Sequence, residues 1–331
     1  MTLDMVPVPE PREGQVLVKV QMAAVNPVDW KLFGGGMHRI FPMSFPYVPG
    51  FDIAGTVVKV GEGVTRLAVG DEVCGDIGLR ETCCHGTQAG PAGAFAEYAV
   101  AFADTIAKRE GLSAEEVVGL PLVGLTSYQV LFTGAGRDAA GTELGQLVPG
   151  QKLLILGGGA ATGSIAVQLA RAVGAYVATT ASPSLMPDGT SKMDYLQKLG
   201  ADQVINYRKE DWAEALAGKD YDLIYDCVGL PEDWPKASKV LKEGGLFVSL
   251  ANFAGKSTER HLFKTIAKKN NAEDLAKLVQ LVKDGKLKVP MDAVFPFSDV
   301  PGALKKSLGG ASAGKLVIRV SEEGSSEKGR L

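Results

Sequence analysis

The chain has 331 residues, more than a single hydrophobic core ordinarily supports, so two domains are expected. Its composition is globular, with 46% hydrophobic and 22% charged residues, and 35 Lys plus Arg against 38 Asp plus Glu give a formal charge of −3. That balance provides no basic field for a phosphate backbone, which excludes nucleic acid as the main partner.

Four cysteines in such a length make no disulfide framework and point to a reducing compartment. The first residues carry Asp4 and Glu10 and lack the apolar run of a secretory signal. A cytoplasmic location is therefore expected, or an organelle if the N-terminus is processed or truncated. The uncharged stretch from Leu153 to Ala170 contains three consecutive glycines, Thr162, Ser164 and Gln168, so no membrane span is expected.

In chain order, residues 1–117 read as short strands. VLVKVQ alternates from Val16 to Gln21, and IAGTVVKVG and DEVCG follow, each bounded by Gly, Pro or Asp. Ser113-Ala114-Glu115-Glu116 is an N-cap with acids in the first turn, opening a helix. Apolar strands then alternate with helices: LLIL (153–156), a helix over 161–173, AYVATT (175–180) and a helix near 192–199. QVIN (203–206), a helix near 211–217, DLIYDCV (222–228), a helix near 234–242 and LFVSL (246–250) complete the run. Near-continuous apolar strands separated by helices predict a parallel, doubly wound α/β sheet.

Glu273 to Lys283 reads as an amphipathic helix presenting Leu275, Leu278, Val279 and Val282. VPMDAVFPF and KLVIRV are strands that return to the β domain. The expected division is 1–117 and 285–320 for a mostly β catalytic domain, 118–284 for a Rossmann domain, and 321–331 for a disordered tail.

The run Gly157-Gly158-Gly159-Ala160-Ala161-Thr162-Gly163 follows an apolar strand and opens a helix. Glycine lets the backbone approach a pyrophosphate, and the helix start offers unpaired N–H groups with the positive dipole end. The next strand ends Thr179-Thr180-Ala181-Ser182, with no acid until Asp188. A ribose 2′-hydroxyl calls for a carboxylate there, whereas a 2′-phosphate is repelled by one. Ser182 and Lys192 suit the phosphate, so NADPH is the expected cofactor.

The segments VNPVDWK (25–31), VPGFDIAGTVVKVGEGV (48–64), GAFAEYAV (93–100), LPLVGLTSYQVL (120–131), LQKLGADQVINY (196–207), DLIYDCVG (222–229) and GKLVIRV (314–320) together resemble the zinc-independent quinone oxidoreductase (zeta-crystallin-like) branch of the medium-chain dehydrogenase/reductases. The resemblance implies a GroES-like catalytic domain around a central Rossmann domain and a homodimer or homotetramer. It also implies NADPH-dependent reduction of quinones or of the C=C bond of α,β-unsaturated carbonyls. Ser182, Lys192 and Tyr207 match the positions that hold the 2′-phosphate, and Asn26 and Thr126 those near the nicotinamide. Ala160 stands where relatives carry glycine, and the segment after Leu250 is shorter than in many members.

Zinc-dependent members need Cys and His at the positions of Asn26 and Phe51, so no metal is expected. Cys74, Cys83, Cys84 and His85 are read as a loop with incidental thiols. Lys264, Lys268 and Lys269 are read as a solvated helix face. Asn26 is the expected donor to the developing substrate oxyanion, with a turn or cap role before Pro27 as its structural counterpart. An enoyl-thioester reductase and a non-catalytic NADPH-binding interaction protein are the alternatives to a quinone or enone reductase.

Overall fold

The computed structural model describes residues 3–34, 47–78, 93–133, 145–266, 268–310 and 312–321. They fall into two compact units: Met1–Leu122, Asn270–Asp284 and Met291–Leu331 form one, and Val123–Lys269 with Gly285–Pro290 the other.

The first unit starts with β1 (Gln15–Val25), whose valines at 16, 18 and 20 are fully buried. It continues through β2 (Asp52–Val60), β3 (Glu72–Asp76), β4 (Tyr98–Phe102) and β5 (Ile106–Lys108). β1 is long because it serves two antiparallel partners in the first half of the chain, β2 along most of its length and β4 over Gln15–Lys19. The core beneath this sheet gathers Val16, Val18, Ile53, Val57, Val73 and Ile106.

The second unit contains β6 (Lys152–Leu156), β7 (Tyr176–Ala181), β8 (Gln203–Asn206), β9 (Tyr221–Asp226), β10 (Leu241–Ser249) and β11 (Leu262–Thr265). Their order is β11-β10-β9-β6-β7-β8 and every pairing is parallel. Leu153, Leu154 and Ile155 of β6 are fully buried, as expected of a strand covered on both faces. The helix Ala161–Val173 crosses from β6 to β7 and is stopped by Gly174 in the left-handed region, φ +85°. Phe247 stacks on Phe263 with centroids 5.6 Å apart, and Trp234 meets both rings edge-on. β11 carries the sheet past Leu250, so the shorter segment there still supplies a sixth strand.

The chain then returns: β12 (Met291–Pro296) pairs parallel with β13 (Lys315–Arg319), and β13 runs antiparallel beside β1. This is the expected GroES-like plus Rossmann architecture.

Three expectations differ from the structure. The first unit runs to Leu122 rather than 117, and it takes in the helix Ala272–Lys283, expected in the Rossmann part. That helix buries Leu275, Leu278 and Val279 and packs against β5 and the short helix Ala114–Val117, so its apolar face goes with the β sheet. The helix near 234–242 is only Asp233–Lys236 with a tighter turn over Ala237–Lys239, because β10 already begins at Leu241 and is carried through a register shift around Gly244 at φ +72°. Lys264 stands on β11 and Lys268 and Lys269 on irregular chain, so they form no helix face. The expected disordered tail, save Ser321, lies outside the described residues.

One helical stretch, Ala114–Thr133, is long and apolar enough by length and composition to cross a membrane, yet 72% of its most apolar window is buried inside the protein.

Candidate functional site

Strand order in the second sheet reverses between β6 and β9, with β7 and β8 to one side and β10 and β11 to the other. In an open parallel sheet the crevice at the carboxyl ends of such a pair is where a dinucleotide lies. Gly157 leaves β6 at φ +85°, and a Cβ there would come within 2.7 Å of Val228 Cγ2. The Gly157 N–H is donated to the Thr180 hydroxyl at 2.9 Å, which folds the turn back onto β7. A Cβ on Gly163 would lie 2.5 Å from the Gly157 carbonyl oxygen, so the helix enters hard against the turn.

Ala160 is the N-cap of the helix Ala161–Val173, at φ −80° and ψ 159°, a conformation alanine adopts without strain. It brings no side-chain acceptor, so the amides of the first turn, over Ala161, Thr162 and Gly163, are left to an external acceptor. Gly158 gives its N–H to the Thr180 carbonyl, and the Lys192 stem lies against Gly159, where a Cβ would be 3.1 Å from Lys192 Cδ. These features fit a pyrophosphate.

The three residues expected at a 2′-phosphate share one corner. Ser182 follows β7 and Tyr207 follows β8, and the ladder pairs Ala181 with Asn206 just before them. Lys192 donates its backbone N–H to the Ser184 carbonyl at 2.9 Å, and the hydroxyls of Ser182 and Ser184 are 2.7 Å apart. Tyr207 is 54% exposed, which leaves its ring open to a ligand. Asp188, the first acid after β7, accepts the Thr190 N–H in a turn of its own, which holds its carboxyl below the usual range.

Asn26 is the N-cap of the helix Pro27–Phe33 and fully buried. Its N–H goes to Asp29 Oδ2 at 2.7 Å. Its amide Nδ2 donates to Asp52 Oδ2 at 2.9 Å and to the Ala24 carbonyl at 3.4 Å, while its Oδ1 accepts from Lys315 Nζ at 2.6 Å. Lys315, itself buried, also reaches Asp52 Oδ2 at 3.1 Å, and Asp52 Oδ1 accepts the Leu122 N–H. Burial raises the carboxyls of Asp52 and Asp29 above their ordinary range, with Lys315 pulling the other way. The network therefore occupies this carboxamide, while the backbone N–H of Asn26 makes the cap contact with Asp29. Thr126 is nearly buried, next to Ser127, whose hydroxyl donates to the Thr162 carbonyl and so ties that helix to the phosphate helix.

The alcohol dehydrogenase GroES-like domain model matches residues 12–111, and the zinc-binding dehydrogenase model matches residues 199–318. A 2-methylene-furan-3-one reductase of Solanum lycopersicum is 38% identical over 95% of this chain and 74% of its own. A chloroplastic quinone oxidoreductase of Triphysaria versicolor is 31% identical over 95% and 92%, and a chloroplastic NADPH-dependent alkenal/one oxidoreductase of Arabidopsis thaliana 35% over 94% and 73%. The quinone oxidoreductase structure from Coxiella burnetii superposes with a TM-score of 0.79 at 31% identity, covering 96% of this chain and 93% of that one. The chain belongs to the medium-chain dehydrogenase/reductase superfamily, in its zinc-independent, quinone oxidoreductase-like branch.

Of the two positions expected to carry the catalytic zinc ligands in zinc-dependent members, Asn26 has its oxygen taken by an ammonium, and Phe51 is buried among Leu32, Val28, Tyr47 and Leu122. Cys74 is buried with its thiol pushed up to about 12, which disfavours a thiolate ligand. Cys83, Cys84 and His85 lie outside the described residues. Tyr47 packs on Leu32 and Phe51. Sequence reasoning missed Asp52, Lys315 and Thr180. Asp52 had a signal, as the one charged residue in an otherwise apolar PGFDIAG segment.

Proposed function

We propose that this protein is an NADPH-dependent oxidoreductase that reduces quinones or the C=C bond of α,β-unsaturated carbonyls without zinc. The observation that carries the reading is the uncapped start of the helix Ala161–Val173 beside a glycine turn, with Ser182, Lys192 and Tyr207 and no acid at the next strand ends. Relatives named quinone oxidoreductase and NADPH-dependent alkenal/one oxidoreductase support the substrate class and the nicotinamide cofactor. When bound, NADPH would supply the hydride for an electron-poor substrate carbon, and the residues around it would meet the negative charge left on the substrate oxygen.

Gly157, Gly158, Gly159, Ala160, Ala161, Thr162 and Gly163 form the pyrophosphate cradle, the glycines by letting the backbone come close and Ala161, Thr162 and Gly163 through the open amides of the first helical turn. Ser182, Lys192 and Tyr207 hold the 2′-phosphate, Lys192 as the point charge. Asn26 and Thr126 are the proposed donors to the oxyanion. Asn26 sits inside its network, where the Lys315 ammonium on its Oδ1 polarises the amide. Protonation of the product then comes from solvent. The site works in a reducing compartment, cytoplasm or plastid, since several relatives are named chloroplastic. The proposed assembly is a homodimer or homotetramer.

The test follows reduced-nicotinamide absorbance with 1,2-naphthoquinone, acrolein and trans-2-hexenal, each with NADPH and with NADH. Turnover with at least one substrate and a preference of about tenfold or more for NADPH is expected, the worth of one charge-assisted phosphate contact. Binding of NADPH without turnover across the panel overturns the enzymatic reading.

A further inference from the structure

β9 ends at Asp226, fully buried, and its carboxylate is surrounded by neutral donors. Oδ1 accepts the N–H of Val228 at 2.9 Å and of Gly229 at 2.8 Å, and Oδ2 accepts the Ser249 hydroxyl at 2.7 Å. Ser249, the ladder partner of Asp226 at the end of β10, accepts in turn the N–H groups of Asn252 at 3.0 Å and Ala251 at 3.3 Å. Asn252 Oδ1 then takes the Ala254 N–H at 3.0 Å. One carboxylate thus fixes the loop after β9 and, through a single hydroxyl, the loop after β10.

The two loops also touch each other and the phosphate turn. Gly229, at φ +87°, leaves room for Ala251 where a Cβ would come within 2.5 Å of it, and Val228 leans on Gly157. Val228, Leu230 and Phe253, 48, 46 and 67% exposed, crown this ledge. A charge is a costly thing to bury, and apolar packing alone does not require one. It gives short, charge-assisted bonds that hold loop backbone more firmly than neutral acceptors would.

A dinucleotide bound across the switch point would lay its adenosine half over β7 and β8 and its nicotinamide half over β9 and β10. We infer that Asp226, through Ser249, is a positioning residue for hydride transfer, holding the loops 227–230 and 250–254 as the ledge that fixes the nicotinamide end. The inference rests on the nucleotide-binding reading above. A displacement of about 1 Å at a reacting centre lowers a rate by about a hundredfold, so a softened ledge is read in kcat.

The experiment compares Asp226→Asn and Ser249→Ala with the wild-type full chain. It measures kcat and KM with NADPH and trans-2-hexenal, the affinity for 2′,5′-ADP, which sees only the adenosine half, and the fluorescence of bound NADPH, which reports how firmly the nicotinamide is held. A fall in kcat of about tenfold or more in Asp226→Asn is expected, and a smaller fall in Ser249→Ala. Both should show weakened NADPH fluorescence enhancement and 2′,5′-ADP affinity within about twofold of wild type. If a folded variant keeps wild-type kcat and fluorescence, or if 2′,5′-ADP affinity falls in step with kcat, the inference is overturned. Should Asp226→Asn fail to fold, Ser249→Ala decides by the same criteria. If the wild type turns over no substrate, the enzymatic reading fails, and the fluorescence and 2′,5′-ADP arms still decide the role of Asp226.

Discussion

Lys192 lays its stem along Gly159 while its own amide is tied to Ser184, and its ammonium is the proposed partner of the 2′-phosphate. Lys192→Ala should raise the KM for NADPH by about tenfold or more and leave that for NADH nearly unchanged, since a charged hydrogen bond is worth about 1.5–3 kcal/mol. Steady-state kinetics with both nucleotides checks it. Lys315 is a different kind of cation, buried against Asn26 and Asp52. Lys315→Met should cost about 3–5 kcal/mol by leaving Asp52 uncompensated, and Lys315→Met/Asp52→Asn should recover much of it, as urea titration would show. The sequence suffices to propose Lys192, because the turn it lies against is one strand away and the missing acid is a local clue. It does not suffice for Lys315, because that residue meets Asp52 across 263 positions and no local pattern encodes such a meeting.

At the level of elements, apolar runs gave β6, β7, β8 and β9 to within a residue or two, since a strand buried on both faces has no other way to be written. The helix Ala272–Lys283 was equally plain in its 3.6-residue period, but the period says only that a face is buried and not beneath which sheet. The four residues from Ser113 read as an N-cap with acids in the first turn, and the structure closes them into a capping box: the hydroxyl accepts the Glu116 N–H while the Glu116 carboxylate accepts the Ser113 N–H. Ser113→Ala should therefore cost about 1 kcal/mol in urea unfolding. The short helix Asp233–Lys236 carries a buried acid that accepts the Trp212 indole N–H at 3.1 Å. Burial pushes the Asp233 carboxyl up to about 6, with Trp212 pulling it back. Its unfolded value is about 4, so the stability tied to its protonated form is whole below that pH and disappears as pH rises through 6. Asp233→Asn keeps the acceptor and removes the titration. Thermal unfolding should match wild type at pH 4 and exceed it at pH 7.5, by an amount on the order of 1 kcal/mol once solvent screening is discounted.

At the scale of the molecule, the first unit is assembled from three stretches of chain, and its sheet is completed by the last two strands. A chain ended at residue 284 lacks β12 and β13 and leaves the Ala23–Val25 side of β1 with unpaired backbone groups. It should lose cooperative unfolding of the β domain and aggregate, seen by size-exclusion chromatography and near-ultraviolet circular dichroism. The same pairing has a consequence during synthesis. β1 leaves the ribosome nearly 300 residues ahead of the strand that will flank it, whereas the parallel sheet is complete once β11 has emerged. The nucleotide-binding half is thus able to mature on the nascent chain while the Met22–Val25 edge of β1 stays open, to be shielded until β13 has emerged.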